Sequence, residues 1–325
     1  MNRIYLAPME GLADALMRDL LTRTGGYDGA VCQFVRVSAT PLPPRTFRRA
    51  CPELDGGGRT PGGTPVSVQL LGSCPERMGE TAARLAGLSP RGIDLNFGCP
   101  ARTVSRHGGG AILLDDPGLL RRIAEAVRRA VPEAIPVTAK MRLGNRDTER
   151  TLDCAAALQA GGVAALTVHA RTRIEGYRPP AHWEWIARVR EAVSVPVIAN
   201  GEIWSVADYF ACREASGCAD VMLGRGAVAD PFLARRIRRA ASAGNFAAAD
   251  DGSAGDWGEL SVLLREFWQR LRLRVSARHA PGRLKLWLSF LRRVYPEADT
   301  LYHRIRAHEE IGVVSAALAA ATAAE

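Results

Sequence analysis

The chain has 325 residues, 47% of them hydrophobic and 24% charged, which excludes a disordered polyelectrolyte and leaves room for one large and one small folded domain. No apolar run reaches the roughly 18 residues of a membrane helix, and Met1-Asn2-Arg3 passes straight into strand-like Ile4-Tyr5-Leu6-Ala7 without the regions of a signal peptide, so a cytoplasmic protein with no membrane partner is expected. The net charge of +9 fits a polyanionic partner or a general preference for arginine, and the placement of the charge decides between them.

Eight short apolar or β-branched runs recur in the first three quarters of the chain, at residues 3–7, 30–35, 65–71, 92–96, 136–141, 164–169, 195–199 and 219–223. Continuous apolar runs rather than alternation indicate parallel strands buried on both faces. Amphipathic helices are predicted between them near 13–23, 76–87, 117–130, 149–160, 183–192, 205–215 and 230–242. Ser205 and Asp230 read as N-caps, and Pro117 and Pro231 as first-turn residues. Residues 37–64, with Pro41, Pro43, Pro44 and five glycines among them, read as a long irregular excursion. Eight βα units in about 240 residues predict a closed (β/α)8 TIM barrel of the α/β class, with its working residues at the C-terminal strand ends; an open doubly wound sheet is the runner-up.

Those strand ends are rich in polar groups. Ala7-Pro8-Met9-Glu10-Gly11 follows the first run, Arg36 the second, and Gln69 lies in the third. Asn96-Phe97-Gly98-Cys99-Pro100 follows the fourth, Lys140 and Arg142 close the fifth, and His169 closes the sixth. Asn200-Gly201-Glu202 and Gly224-Arg225-Gly226 follow the last two, where barrel loops commonly form a phosphate site from glycine amides. Arg225 adds a fork-shaped donor. With an interior Lys and Gln, the set suggests a cofactor carrying a phosphate and a hydrogen-bonding ring.

Only Lys140 and Lys285 among the 43 basic residues are lysine, so a retained lysine marks either chance or a need for a compact ammonium that changes protonation. A buried Lys140 needs a partner, which an anionic flavin edge would supply; a Schiff-base lysine is the competing reading. Gln69 and His169 favour the flavin, although His169 is equally well read as a satisfied core residue. Cys99 stands on a Gly-Cys-Pro turn ahead of Gly108, Gly109 and Gly110, a stretch suited to a lid. A thiol of ordinary pKa is protonated at neutral pH and can deliver that proton to a carbanion. The seven cysteines are scattered with no metal-ligand spacing, so no metal site is expected and the remainder read as free thiols.

Residues 244–256 read as a small-residue linker, which gives a catalytic barrel at 1–243 and a helical unit at 257–325. Between Arg265 and Arg293 nine basic residues face one acid, Glu266, a net +8. A one-signed stretch suits a phosphate backbone. Trp268, Trp287 and Phe290 lie within it and Tyr295 just after it, as bases' stacking partners or, at helical spacing, as core.

The motifs Ala7 to Gly11, Asp94-Leu95-Asn96-Phe97-Gly98-Cys99-Pro100, Lys140-Met141-Arg142-Leu143-Gly144, His169-Ala170-Arg171-Thr172, Asn200-Gly201-Glu202-Ile203 and Gly224-Arg225-Gly226 together resemble the tRNA-dihydrouridine synthase family. Phe34-Val35-Arg36-Val37, Glu202-Ile203-Trp204 and Arg283-Leu284-Lys285-Leu286-Trp287-Leu288 resemble its bacterial C-type subgroup, which acts on uridine 16 of the D-loop. The resemblance implies FMN held by Pro8, Met9, Gln69, Lys140, His169, Asn200, Gly201, Glu202, Gly224 and Arg225. It implies reduction by NADPH, hydride delivery to uracil C6 and protonation of C5 by Cys99, with Asn96 helping to hold the uracil. Candidate contacts to tRNA are Arg36, Arg142, Arg278, Arg283 and Lys285, and a monomer is expected. Two departures stand out: Ser105-Arg106-His107 after Val104 where the family has Asn, and Phe97 in place of a small residue. An FMN barrel acting on a free pyrimidine and a catalytically dead RNA-binding barrel are the alternatives.

Overall fold

The computed structural model describes residues 2–37, 39–243 and 257–323; the expected linker lies outside the described residues. Nine parallel strands form the sheet: β1 (Ile4–Leu6), β2 (Gly29–Val31), β3 (Val35–Arg36), β4 (Val66–Leu71), β5 (Ile93–Phe97), β6 (Val137–Arg142), β7 (Leu166–His169), β8 (Val197–Asn200) and β9 (Asp220–Leu223). The order β2-β1-β9-β8-β7-β6-β5-β4-β3 closes on itself because β2 also pairs with β4. Since β2 and β3 both run along β4, they are one stave interrupted at residues 32–34, and the barrel has eight staves. The second predicted run therefore splits; Gln33 and Phe34 in the interruption face the cavity described below.

The barrel arises as the sequence pattern requires. Strand residues such as Leu6, Val68, Leu95, Ala139 and Val168 are fully buried, and helices such as Pro75–Ala86 and Pro117–Ala130 cover the outside. Ser205 caps the helix Val206–Ser216 through a reciprocal capping box with Asp208. Arg3 closes the seam of β1 on β9 by donating from its backbone N and Nε to the two oxygens of Asp220, each at 2.8 Å.

Two local expectations are corrected. The excursion at 37–64 contains a helix, Pro44–Ala50, and a 3-10 turn, Pro52–Gly56, fixed by the buried pair of Arg18 and Glu53 at 2.8 Å. Asp230 does not start a helix directly, because a short helix Arg225–Ala229 precedes it and the long one begins at Leu233. Its carboxylate accepts from the Phe232 amide at 3.0 Å, Arg236 at 2.7 Å and the Tyr295 hydroxyl at 3.3 Å.

Helices Trp257–Arg274, Ala280–Leu291, Pro296–Ile305 and Ile311–Ala321 follow. Their aromatic residues are core. Trp287 has no exposed surface, Trp268 and Tyr295 are buried, Phe290 packs half-buried against the same core, and the Trp287 indole donates to the Val228 carbonyl of the barrel at 3.1 Å. Part of the +8 stretch is neutralised by barrel acids: Arg270 reaches Asp19 at 2.5 Å and Arg283 reaches Asp14 at 2.7 Å. Arg272, Arg274 and Arg278 are exposed. Among the described residues no helix is long and apolar enough to cross a membrane.

Candidate active site

The C-terminal ends of the strands surround a cavity of about 450 Å³. Its lining brings together all ten residues expected to hold a cofactor, and adds Asn96, Cys99 and Arg142. The barrel register explains this convergence: Gln69 stands beside Asp94, Asn96 beside Lys140, Arg142 beside His169, and His169 beside Asn200. Alternation in each strand then places Gln69, Asn96 and Lys140 on the cavity side.

Lys140 donates from Nζ to Asn200 Oδ1 at 2.8 Å, while Asn200 Nδ2 donates to the Met222 carbonyl at 2.8 Å. Burial, and then the charge of Arg142, lower Lys140 to about 7, so its side chain passes between ammonium and neutral amine near neutrality. His169 is held neutral, well below its ordinary value, by burial and by the surrounding cations Arg142, Lys140, Arg171 and Arg225. Among the charged side chains lining the cavity, Lys140, Arg142 and Arg225 face Glu10 and Glu202.

Cys99 is partly exposed in the cavity wall. Burial pushes its thiol above the ordinary value, and the Ala101 amide and Arg142 only partly offset this, so the thiol carries its proton at neutral pH. The glycine stretch expected as a lid is instead packed beneath the Cys99 turn. The Ala111 amide donates to the Cys99 carbonyl at 3.1 Å, and a Cβ on Gly110, at φ +69°, would meet that carbonyl oxygen at 2.6 Å. Of the two departures, Phe97 is buried on β5, and Arg106 is exposed on the turn after the short helix Arg102–Ser105.

Arg142, expected among the RNA contacts, is 2% exposed. Its Nε donates to the Gly98 carbonyl and its Nη1 to those of Thr172 and Gly176, each at 2.9 Å. A guanidinium so committed braces the Cys99 turn and cannot reach a phosphate backbone outside the cavity. Arg36 is exposed at the end of β3, and Arg278 is exposed beyond the helix Trp257–Arg274. Arg283 bonds the Gly11 carbonyl at 2.8 Å as well as Asp14, and Lys285 bonds the carbonyls of Arg306 and His308 at 3.3 Å. None of Arg36, Arg278, Arg283 and Lys285 lines the cavity.

Sequence reasoning missed three members. Arg171, with no exposed surface, donates to Glu202 at 2.6 Å; its place two residues after His169 was the available signal. Tyr177 and Trp204 line the cavity from loops, where no periodicity marks them. The Arg225 guanidinium lies 4.5 Å from the Tyr177 ring and 5.0 Å from that of Trp204, whose ring is also 4.2 Å from Arg293. The basic C-terminal stretch thus reaches the cavity rim through one indole.

The model of the family described as dihydrouridine synthase matches residues 5–289, a span that runs from β1 through the cavity to the helix carrying Trp287. The chain belongs to the dihydrouridine synthase family. It is 55% identical over 323 residues to the tRNA-dihydrouridine(16) synthase of Ralstonia nicotianae, covering 98% of this chain and 97% of that protein. To the protein of the same name from Cupriavidus necator it is 57% identical over 309 residues, covering 94% and 93%. The solved structure of 2-naphthoyl-CoA reductase with 2-naphthoyl-CoA superposes with a TM-score of 0.56 at 11% identity, over 73% of this chain and 50% of that one; this likeness concerns the barrel fold alone.

Proposed function

We propose that this family member reduces the C5=C6 bond of a uridine in tRNA, uridine 16 as in the names of its relatives, to 5,6-dihydrouridine, with FMN as cofactor and NADPH as reductant. The observation that carries this reading is the placement of a protonated Cys99 thiol in the wall of the cavity that also gathers Lys140, Gln69, His169 and Asn200.

The donor set fits a flavin mononucleotide. Lys140, Gln69, Asn200 and His169 offer hydrogen bonds to a ring, and the Arg225 loop suits a phosphate. A Cβ at Gly224 would have no neighbour closer than 4.0 Å, so its absence leaves open cavity for a ligand. FMN, when bound, supplies the hydride for uracil C6 and is itself reduced by NADPH.

The chain's own residues do the rest. Cys99 gives its proton to C5, so that hydride and proton together saturate the bond and leave a thiolate to be reprotonated from solvent. Asn96 holds the uracil. A uracil in folded tRNA must leave its neighbours to enter such a cavity, and Trp204, Tyr177 and Phe34 help exclude water from it. Arg36, Arg272, Arg274 and Arg278 are the exposed groups for the phosphate backbone, with Arg283 and Lys285 nearer the barrel. In this division of labour the barrel at 1–243 carries the chemistry and the helical unit at 257–325 grips RNA, as a cytoplasmic monomer.

The test is incubation of the purified yellow protein with unmodified tRNA and NADPH, followed by mapping of dihydrouridine. Product at position 16 alone is the expected result. A protein that takes up no FMN, or that reduces free uridine as readily as tRNA, overturns the reading.

A further inference from the structure

Between the barrel interior and the Cys99 turn runs a chain of hydrogen bonds whose direction is set at one end by backbone. The amides of Gly98 and Cys99 can only donate, and both point at Asn96 Oδ1, at 3.0 and 2.9 Å. Asn96 must therefore turn its amide nitrogen to Gln69, and Nδ2 donates to Gln69 Oε1 at 2.7 Å. Gln69 is then obliged to turn its own nitrogen the other way, where Nε2 donates to Asp94 Oδ2 at 2.6 Å. Thr138 donates its hydroxyl to the second oxygen of Asp94 at 2.5 Å.

Asp94 is 2% exposed and Gln69 has no exposed surface, so water cannot replace a lost partner. Neither carboxamide can be flipped alone: reversing Gln69 would set an oxygen against a carboxylate oxygen and a nitrogen against a nitrogen. An acceptor oxygen facing Gln69 Nε2 makes the whole sequence self-consistent, and Asp94 supplies it. Burial pushes Asp94 upward while Gln69, Thr138 and Lys140 pull it down, and the oxygen facing Gln69 accepts in either protonation state.

We propose that Asp94 is a positioning residue, the terminal acceptor that orients Gln69 and Asn96 so that the Asn96 carbonyl caps the Cys99 turn and fixes the thiol in the cavity wall. The inference rests on Cys99 being the working thiol of the proposed reaction, yet its effect is readable on the thiol itself. Asp94 touches neither the turn nor the thiol; it acts through two carboxamides.

The test is iodoacetamide labelling of the full chain as purified, with Cys99 quantified by peptide mass spectrometry against the exposed Cys74 of the same molecule. In Asp94→Leu, Gln69 loses its acceptor, the turn amides lose Asn96, and Cys99 labels roughly fivefold faster relative to Cys74, the size of one lost buried hydrogen bond. The pH midpoint of its labelling falls toward that of a free thiol as the turn opens to water. Asp94→Asn keeps one oxygen for Gln69 and donates its nitrogen to the Thr138 hydroxyl, so it labels as the parent does. Should Asp94→Leu fail to fold, Gln69→Met breaks the middle link with Asp94 in place and gives the same acceleration.

Unchanged Cys99 labelling in Asp94→Leu or Gln69→Met overturns the proposal, and so does an Asp94→Asn protein that labels as fast as Asp94→Leu. Dihydrouridine formation is absent from this readout. Failure of the proposed reaction therefore shows in the parent protein's product map, and failure of the positioning chain shows in the labelling ratio.

Discussion

Arg171, with no exposed surface, donates from Nη2 to Glu202 Oε2 at 2.6 Å, and Glu202 is itself held at a positive φ of 59°. The pair welds the β7 loop to the β8 loop and sets Glu202 against Arg225, 3.7 Å away, on the side of the cavity assigned to the phosphate. Glu202→Ala would leave a buried guanidinium without its counter-charge. The expected loss is about 2 to 3 kcal/mol, lower than for a fully enclosed pair because Glu202 is 25% exposed. Urea denaturation checks the loss, and FMN titration of the folded variant should show weaker uptake.

Lys140 gives a pH dependence of definite sign. Its folded value of about 7 lies below its ordinary 10.5. Below pH 7 both folded and unfolded chains carry the proton, and the full penalty of burying the charge is present. Between about 7 and 10.5 the folded chain has released the proton and the unfolded chain keeps it, so stability grows as pH rises through this window. The stability of the parent without cofactor, measured against Lys140→Met, should climb by up to about 1.4 kcal/mol per pH unit there. A flat difference between the two proteins from pH 7 to 9 refutes the assignment.

Gly110→Ala places a Cβ 2.6 Å from the Cys99 carbonyl at a backbone of φ +69°. Because the close neighbour is backbone, the Cys99 turn must move. We expect a loss of about 1 to 3 kcal/mol for the strained backbone, seen in thermal unfolding, and a fall in dihydrouridine formed per enzyme.

Exposed arginines beyond the barrel should set RNA affinity without touching the cavity. Replacing Arg272, Arg274 and Arg278 by Gln is expected to weaken tRNA binding and to reduce the slope of log affinity against log salt by roughly 0.7 to 0.9 for each phosphate that is no longer neutralised. FMN reduction by NADPH should be unchanged, as none of the three lines the cavity. Equal loss of flavin reduction would show that the helical unit does more than grip RNA.

Cys99→Ala should retain FMN and tRNA and yield little dihydrouridine in the same mapping assay; a normal yield would remove the thiol from the mechanism. Because Cys99 contributes its turn amide to Asn96 whatever its side chain, the substitution should leave the thermal midpoint nearly unaltered.

The amino-acid sequence determined a parallel α/β fold with the barrel as its leading form, because eight apolar runs of strand length separated by helical periodicity must be buried on both faces, and the pairing of β2 with β4 decided closure over an open sheet. It also determined which residues stand at the strand ends, and hence that Lys140, His169, Asn200 and Cys99 meet, since closing the barrel brings every strand end to one rim. Directions and pairings were decided only by the tertiary structure. Arg142 and Arg278 are the same residue type in a basic chain, yet one is spent on the carbonyls of Gly98, Thr172 and Gly176 and the other is exposed. Trp287 and Trp204 are likewise one residue type, but Trp287 is fully buried core and Trp204 lines the cavity between two guanidiniums. The orientation of Gln69 and Asn96 follows from the amides of Gly98 and Cys99 and from Asp94, partners up to 27 residues apart. Local propensity carries no information about such pairings; they exist only once the strands have closed and excluded water, when every buried donor must find its acceptor.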